Sequence, residues 1–291
     1  MRRIGFNPLP WYLTTDGLDP TRAPSLPEIL RTIKAAGYDG VPAEMPASFT
    51  ARQYQELLAE HGLTAAPGHF QASFSDLAAV AITIDDAKEV AAQHAALGLD
   101  RVFIVDGAAA CRVSQPAQGV NADPGRLSII VEVLDKVCTA MAGEGVIPCL
   151  HPHVGTWIET GAETEGILAA LSPSVLKFGP DTGHLAWAGV DSVAFIRSHV
   201  DRVGAVHIKD IRKTVADSVK REDGGYREAC ERHIWTEPGR GDVDLAAVLA
   251  ALDTFDGWFI VEVDIADQPT VEQSAKVAAD WLRSRLHARG A

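Results

Sequence analysis

The stretch Val175-Leu-Lys-Phe-Gly-Pro-Asp-Thr-Gly-His-Leu185 joins a short apolar run to a Gly-Pro break and two polar side chains. This pattern is typical of a buried strand that ends near Gly179 and opens into a loop. Asp181 and His184 would then lie at the carboxyl end of that strand. Aspartate and histidine are ligands of Zn²⁺, Mn²⁺ and Co²⁺, so the pair suggests half of a metal site, although a helix cap beside a surface histidine has the same spacing.

The composition excludes several classes of protein and partner. With 26 basic and 39 acidic residues the chain has a net charge of −13, so its surface repels phosphate backbones and anionic membranes. We find no apolar run of membrane-spanning length and no signal-peptide pattern, and therefore expect a cytoplasmic protein without nucleic-acid or membrane partners. The four cysteines lack the spacing of a disulfide framework.

Short apolar runs alternate with amphipathic segments along the whole chain. The predicted strands cover residues 4–6, 40–45, 63–67, 101–105, 146–150, 175–178, 203–208 and 258–263. Eight strand-helix units with continuous apolar strands predict an α/β protein, a single-domain (β/α)8 TIM barrel over residues 1–291. A doubly wound sheet is the alternative, but its glycine-rich fingerprint is missing after the first strand. The polar stretch 211–242 is predicted to be a long loop over the barrel mouth.

Polar side chains recur where the predicted strands end. In a barrel, the carboxyl ends of the strands converge on one pocket. Any one of these side chains alone would be a solvated histidine or carboxylate, but their recurrence at consecutive strand ends predicts a pocket for a divalent metal. The residues concerned are His69, Asp106, His151, His153, Asp181, His184, His207, Lys209, Glu262 and Asp264.

Several of these residues stand in strings that resemble a known family. Asp181-x-x-His184, His207-x-Lys-Asp210 and Val261-Glu-Val-Asp264 are similar to the xylose-isomerase-like barrel superfamily of sugar isomerases, epimerases and dehydratases. Within it the chain most resembles the inosose (2-keto-myo-inositol) dehydratases. The strings that carry this second likeness are Asn7-Pro-x-x-Trp11, Gly37-Tyr-Asp-Gly40, His153-Val-Gly-Thr156, His207-x-Lys-Asp-x-Arg212 and Trp235-Thr-x-Pro-Gly-x-Gly-Asp-Val-Asp244.

The resemblance implies metal ligands at Asp181, His207 and Glu262, with a fourth ligand from the fifth strand. The wider superfamily usually has glutamate on that strand, where this chain has His151-Pro-His153. His151 is taken as the fourth ligand, with His153 left open as the alternative. Because imidazole disfavours the harder ion, we expect Mn²⁺ or Co²⁺ before Mg²⁺, with Zn²⁺ as a further alternative.

A second departure from the family concerns the second strand. Many relatives have glutamate where this chain has Pro42, and Glu44 is nearby but out of register. The identity of the substrate therefore stays open even if the chemistry is shared.

We therefore predict a metal-dependent dehydratase that acts on a keto-polyol, such as 2-keto-myo-inositol, through an enolate. Such a reaction needs a base for the proton beside the carbonyl and an acid for the departing hydroxyl. His151 and His153 are the candidates because histidine titrates near neutral pH. Lys209 and Arg212 would bind polar oxygens or stabilise developing negative charge. The remaining predicted substrate-binding residues are Trp11, His69 and His184.

Other functions stay open from the residues alone. The same enolate gives isomerisation or epimerisation if it is reprotonated, and elimination from a 3-keto-glycoside uses the same metal site. An abasic-site endonuclease on this barrel would need more histidines and a basic surface. A non-catalytic sugar-binding subunit on the same scaffold is the alternative of another class. We also expect a homo-oligomer.

Overall fold

A computed structural model describes residues 2–287, and within them eight barrel strands follow one another. All are short, and most are almost wholly buried, as expected for strands covered on both faces. The strands are β1 (Arg3–Phe6), β2 (Gly40–Pro42), β3 (Thr64–Ala66, continued by His69–Ala72), β4 (Arg101–Asp106), β5 (Ile147–Leu150), β6 (Lys177–Phe178), β7 (Val206–Ile208) and β8 (Trp258–Val261).

Parallel pairing closes these strands into the predicted TIM barrel. One hydrogen-bonded sheet runs β7-β8-β1-β2 and the first part of β3, and a second runs from the continuation of β3 through β4 and β5 to β6. Two isolated parallel bridges, Phe178↔Val203 and Asp181↔His207, join β6 to β7 and complete the ring. The barrel is therefore closed, and the join between β6 and β7 consists of these two isolated bridges rather than a continuous ladder.

Helices cover the outside of the barrel. Three of the longer ones begin with reciprocal capping boxes, in which Ser25, Thr50 and Thr160 pair with a Glu or Gln three residues on. No helix in the described part of the chain is long and apolar enough to cross a membrane. The helices are α1 (Leu26–Ala36), α2 (Ala51–Glu60), α3 (Val80–Ala96), α4 (Ala110–Ser114), α5 (Pro124–Gly143), α6 (Gly161–Ala170), α7 (Thr182–Trp187), α8 (Ser192–Ser198), α9 (Lys213–Arg221), α10 (Tyr226–Glu231), α11 (Leu245–Ala251) and α12 (Val271–His287).

The third strand differs from its prediction because it is interrupted. Pro67 has no backbone N–H, and the Gly68 N–H donates to His94 Nε2 at 3.1 Å instead of to a neighbouring strand. The chain then resumes as His69–Ala72 against β4. His69 therefore begins a strand segment, whereas the sequence predicts it just beyond a strand end.

The segment 211–242 is folded rather than a plain loop. It contains α9 and α10, and a short antiparallel pair joins Asp210–Ile211 to Trp235–Thr236. Val219 and Ala229 are fully buried between these elements. Val215, Ala216 and Val219 do follow helical spacing, but the run is short and its neighbours are charged, so the sequence predicts a loop.

A layer of side chains fills the barrel interior below the strand ends. Phe103, Cys149, Ala205 and Ile260 are fully buried there, and Trp258 closes the layer. Phe103 lies directly beneath the strand-end histidines, with its ring centre 4.0 Å from that of His207. The interior is therefore a packed floor for the strand-end residues and not a channel.

We expect Gly40→Ala to lower the free energy of unfolding by about 1–3 kcal/mol, because the added methyl overpacks the barrel wall. A Cβ at Gly40 would lie 2.5 Å from the Thr64 carbonyl oxygen and 2.6 Å from the Trp258 ring. The matched control is Gly143→Ala in α5, where a Cβ meets nothing within 4 Å. Urea unfolding should show a loss for Gly40→Ala alone, and equal midpoints for the two variants would contradict the predicted packing.

Candidate metal centre

Four strand-end side chains converge at the mouth of the barrel. They are the ones that the sequence predicts as ligands: His151, Asp181, His207 and Glu262. One potential ligand atom from each lies within 4.8 Å of those of the others, and all four residues are buried. They follow or belong to β5, β6, β7 and β8, so four neighbouring strands each contribute one donor. Two imidazoles and two carboxylates form a donor set suited to a divalent transition metal.

Asp181 has two separate tasks in this cluster. The sequence predicts a loop after β6, but Asp181 is the N-cap of α7, and its Oδ1 accepts from the N–H groups of Gly183 and His184 at 2.8 Å each. Its Oδ2 has no hydrogen-bond partner in the described residues and lies 3.7 Å from His207 Nδ1. One oxygen therefore fixes the carboxylate, and the other is left for a ligand.

Unpaired buried polar atoms test whether a metal fits this cluster. Within the described residues, His151 Nδ1, Asp181 Oδ2 and both ring nitrogens of His207 are buried without a hydrogen-bond partner. Such groups each cost about 1–3 kcal/mol when nothing compensates them. Burial also lowers the pKa of His151 well below its usual value, which keeps the ring in the neutral form that binds metals. The donors present therefore fit a divalent cation.

Lys209 balances part of the charge around the cluster. It is fully buried, which excludes a solvated surface lysine. Its Nζ lies 2.6 Å from Asp264 Oδ1, 2.8 Å from Glu262 Oε1 and 3.7 Å from Asp181 Oδ2. Burial alone would lower the pKa of Lys209, but these three carboxylates raise it, and the Trp235 ring lies 4.5 Å away. Three carboxylates around one ammonium leave a negative site that attracts a further cation.

The carboxylates at the end of β8 are held differently. Asn7 donates from Nδ2 to Glu262 Oε2 at 2.6 Å, so the Asn-Pro motif orients this potential ligand. Burial favours the neutral acid, but the neighbouring His207 and Lys209 hold the pKa of Glu262 well below its usual value. At Asp264, burial has the larger effect and raises the pKa to about 6, against the charge of Lys209. Glu262 is therefore the firmly ionised member of the pair.

His153 lies beside the cluster, and one of its two ring nitrogens is already engaged in a hydrogen bond to the backbone. Its Nδ1 is 2.8 Å from the Val154 carbonyl oxygen, which can only accept, so Nδ1 carries the proton and Nε2 has a free lone pair. The ring packs between His184, at 3.8 Å between ring centres, and Tyr226, at 6.2 Å. Burial lowers the pKa of His153 to about 4, with Lys209 adding to the effect. His153 thus presents a neutral proton acceptor.

A buried ion-pair network shapes the loop that bears His153. Glu159 is fully buried and accepts from Gly155 N at 2.9 Å and from Arg112 Nη1 at 2.9 Å. Arg112 also pairs with Glu163 at 2.7 Å. Asp106, a strand-end residue expected in the metal pocket, instead accepts from the N–H groups of Phe74 and Trp157 and braces the same loop.

His69 faces the cluster from the other side. Its Nδ1 lies 3.3 Å from Glu44 Oε1, and its Nε2 lies 3.9 Å from Glu262 Oε2. Burial opposes a charged ring, but the hydrogen bond to Glu44 and the charges of Glu262 and Glu44 raise the pKa of His69. Glu44 therefore reaches this histidine although the sequence places it out of register with the glutamate of the family. His69, His151 and His207 also form a second group of three close donors.

The structure places the other predicted residues at different distances from the centre. His184 is buried, with Nε2 3.3 Å from Lys209 Nζ. Trp11 lies in the core against Phe6, with the ring centres 5.9 Å apart. Arg212 pairs with Asp267 and donates to the His233 carbonyl oxygen at 2.6 Å, so its guanidinium holds the segment 211–242.

The sequence does not reveal the aromatic side of the centre. Tyr226 approaches Asp264 Oδ2 at 3.4 Å, and Trp235 packs against His184 with ring centres 5.1 Å apart. Both residues come from the segment that was predicted as a loop. The Trp235 string was part of the family likeness, but no local pattern marks Tyr226.

A cavity of about 480 Å³ opens onto the centre, a size typical of small-molecule sites. His69, His151, His153 and Glu262 line its inner end. A larger cavity of about 730 Å³ lies elsewhere, between α7, α8 and α9, and none of the cluster residues lines it. The smaller cavity is therefore the one that belongs to the centre.

Comparison with known proteins gives a family and several relatives. A family model described as xylose isomerase-like TIM barrel matches residues 30–285. The inosose dehydratase of Geobacillus thermodenitrificans (strain NG80-2) is 32% identical over 138 residues, which are 47% of this chain and 46% of that protein. The chain thus spans about half the length of the curated relatives it matches.

Solved structures share the fold at lower sequence identity. The probable 3-DHS dehydratase AsbF from Bacillus anthracis has a TM-score of 0.73 at 15% identity, over 97% of this chain and 98% of that chain. An L-ribulose 3-epimerase has a TM-score of 0.72 at 19% identity, over 99% of this chain and 96% of that chain. These likenesses are evidence of the barrel alone.

We expect Mn²⁺ to stabilise the protein through the buried cluster. Binding to the folded state adds about 2.7 kcal/mol when the free ion is at 100 times its Kd, so the melting temperature should rise by several degrees. His207→Ala should abolish the rise, and His61→Ala, which changes a histidine outside the cluster, should keep it. A rise of equal size in all three proteins, measured by calorimetry, would show that Mn²⁺ binds elsewhere.

We expect Glu159→Gln to lower the free energy of unfolding by roughly 3–5 kcal/mol, because it leaves the buried Arg112 partly unpaired. The control is Glu132→Gln, which removes an exposed ion pair with Lys136 at 2.7 Å and should cost about 0.2–1 kcal/mol. Urea unfolding measures both. Similar losses for the two variants would mean that the Arg112 network does not hold the loop.

Proposed function

The chain belongs to the xylose isomerase-like TIM barrel family, and we propose that it is a metal-dependent dehydratase acting on a keto-polyol such as 2-keto-myo-inositol. The observation that carries the proposal is the set of four buried donors, three of which have unpaired atoms, beside a cavity that His151, Glu262 and His153 line. The partial likeness to inosose dehydratases supports this substrate class.

The chemistry divides between a metal and the residues around it. His151, Asp181, His207 and Glu262 would hold a divalent ion, with Mn²⁺ or Co²⁺ favoured by the imidazoles, and the ion would supply Lewis acidity to the substrate carbonyl. Asn7 and Lys209 keep the Glu262 carboxylate oriented and ionised. The buried Phe103 floor keeps water from reaching the donors from below.

We assign the proton transfers to two histidines with opposite surroundings. His153 accepts the proton from the carbon beside the carbonyl at Nε2, because its Nδ1–H is already bonded to the backbone. His69 donates to the departing hydroxyl, because the Glu44 contact favours its protonated form. His151, predicted from sequence as one of the two, is assigned to the metal instead.

The remaining predicted residues, together with Tyr226, have supporting roles in this proposal. His184 and Tyr226 pack against the ring of His153 and fix its plane. Arg212, predicted to bind substrate, instead forms an ion pair with Asp267. This ion pair holds in place the segment that contains Tyr226 and Trp235. Trp11 supports the first strand from the core while its neighbour Tyr12 lines the cavity.

Reprotonation of the same enolate would give an isomerase or epimerase, so the test must separate the two outcomes. The protein loaded with Mn²⁺ is incubated with 2-keto-myo-inositol in D₂O, and ultraviolet absorbance and deuterium incorporation are recorded. Elimination should produce a conjugated diketone tautomer that absorbs. Incorporation without absorbance would instead assign an isomerase or epimerase, and neither signal would defeat the enzymatic proposal in favour of a sugar-binding role.

We expect His153→Ala to lower kcat by about 10²–10⁴-fold, which is the usual contribution of a group that transfers a proton. The Mn²⁺-induced rise in melting temperature should remain, because His153 is not assigned as a ligand. His61→Ala is the control and should keep wild-type kcat. Wild-type kcat in His153→Ala, or the loss of its Mn²⁺ response, would contradict the assignment of His153 as the base.

A further inference from the structure

The cavity above the metal centre has two chemically different parts. Its inner end presents His69, His151, His153 and Glu262, which are the polar groups of the proposed reaction. The rest of its lining comes mainly from the first 54 residues, where Asn7, Glu44 and Tyr54 are polar but a continuous part of the wall is apolar. The side chains of Leu9, Tyr12, Leu18, Leu26, Val41 and Pro46 form this wall.

A substrate that is hydroxylated all round would leave this wall without a partner. A hydroxyl placed against leucine and proline side chains would lose its hydrogen bonds to water without gaining others. No lysine or arginine is among the described residues that line the cavity. A phosphate or carboxylate substituent lying along the wall would therefore find no lysine or arginine there to offset its desolvation.

Leu18 stands at the rim of the wall in an unusual position. It lies at the end of a short hairpin, Leu13–Thr14 with Gly17–Leu18, and 70% of it is exposed. The adjacent Gly17 has φ = 115°, a left-handed conformation that glycine adopts without strain and that sets the direction of the hairpin. The hairpin thus places an exposed leucine at the outer rim of the cavity whose inner end holds the histidines.

We propose that the substrate carries an uncharged apolar substituent on its keto-polyol ring, and that the wall formed by Leu9, Tyr12 and Leu18 binds it. The ring lies at the histidine end and the substituent lies along the wall, where its burial removes apolar surface from water. The proposal rests on the proposed function for the nature of the ring. It adds that an unsubstituted cyclitol leaves the outer part of the cavity unused.

The proposed apolar subsite can be tested by the binding of ligands that do not react, without any catalytic turnover. Phenyl and methyl β-D-glucosides share a polyol ring, lack the keto group and differ only in the apolar substituent. Calorimetric titration of the Mn²⁺-loaded protein should give a Kd at least about tenfold lower for the phenyl compound. Leu18→Asn should reduce this ratio to within about threefold. Leu77→Asn is the control, because Leu77 is 59% exposed and does not line the cavity.

The outcomes separate this inference from the proposed function. Equal affinities for the two glucosides, or a ratio that Leu18→Asn leaves at the wild-type value, would overturn the subsite even if 2-keto-myo-inositol is dehydrated. A tenfold ratio that depends on Leu18 would support the subsite even if dehydration fails. If Leu18→Asn dissociates an oligomer and the two glucosides bind wild type equally, Leu18 is a subunit contact and the proposal is wrong.

Discussion

The arrangement of this protein depends on keeping three carboxylates ionisable inside the barrel mouth. Asp181, Glu262 and Asp264 are all buried, and isolated buried charges are very costly. The structure offsets that cost with the ammonium of Lys209 and the amide of Asn7. The N-terminus of α7 adds backbone donors. Each of these partners comes from a different strand or loop, so the charge cluster connects elements that are distant in the sequence.

The same contacts serve folding and the proposed chemistry at once. Asp181 begins a helix with one oxygen and offers the other to the centre. The loop bearing His153 is held from behind by the buried Arg112 and Glu159, neither of which lines the cavity. The reactive side chains are therefore fixed by groups that take no part in the reaction, which is how a pre-organised site keeps its geometry.

The sequence predicts those parts of the structure whose signal lies in neighbouring residues, and it misses those that depend on tertiary packing. The barrel is predicted correctly because each buried strand is a local apolar run, and the parallel topology then brings strand ends such as His151 and Asp181 together. Trp11 and Arg212 show the limit of such local signals. Their motifs match those of the family, but their contact partners, Phe6 and Asp267, are determined by tertiary packing. Tyr226 reaches the centre only through the fold of the segment 211–242, which its one short helical pattern does not reveal.

The sparse pairing between β6 and β7 has a consequence for motion. The bridge nearest the mouth joins Asp181 to His207, so two candidate ligands lie on opposite sides of a join that only isolated bridges pair. An ion held by both would act as a cross-link between these strands. Loss of the ion and separation of β6 from β7 would then occur together. Local opening of the barrel would therefore depend on whether the metal is bound.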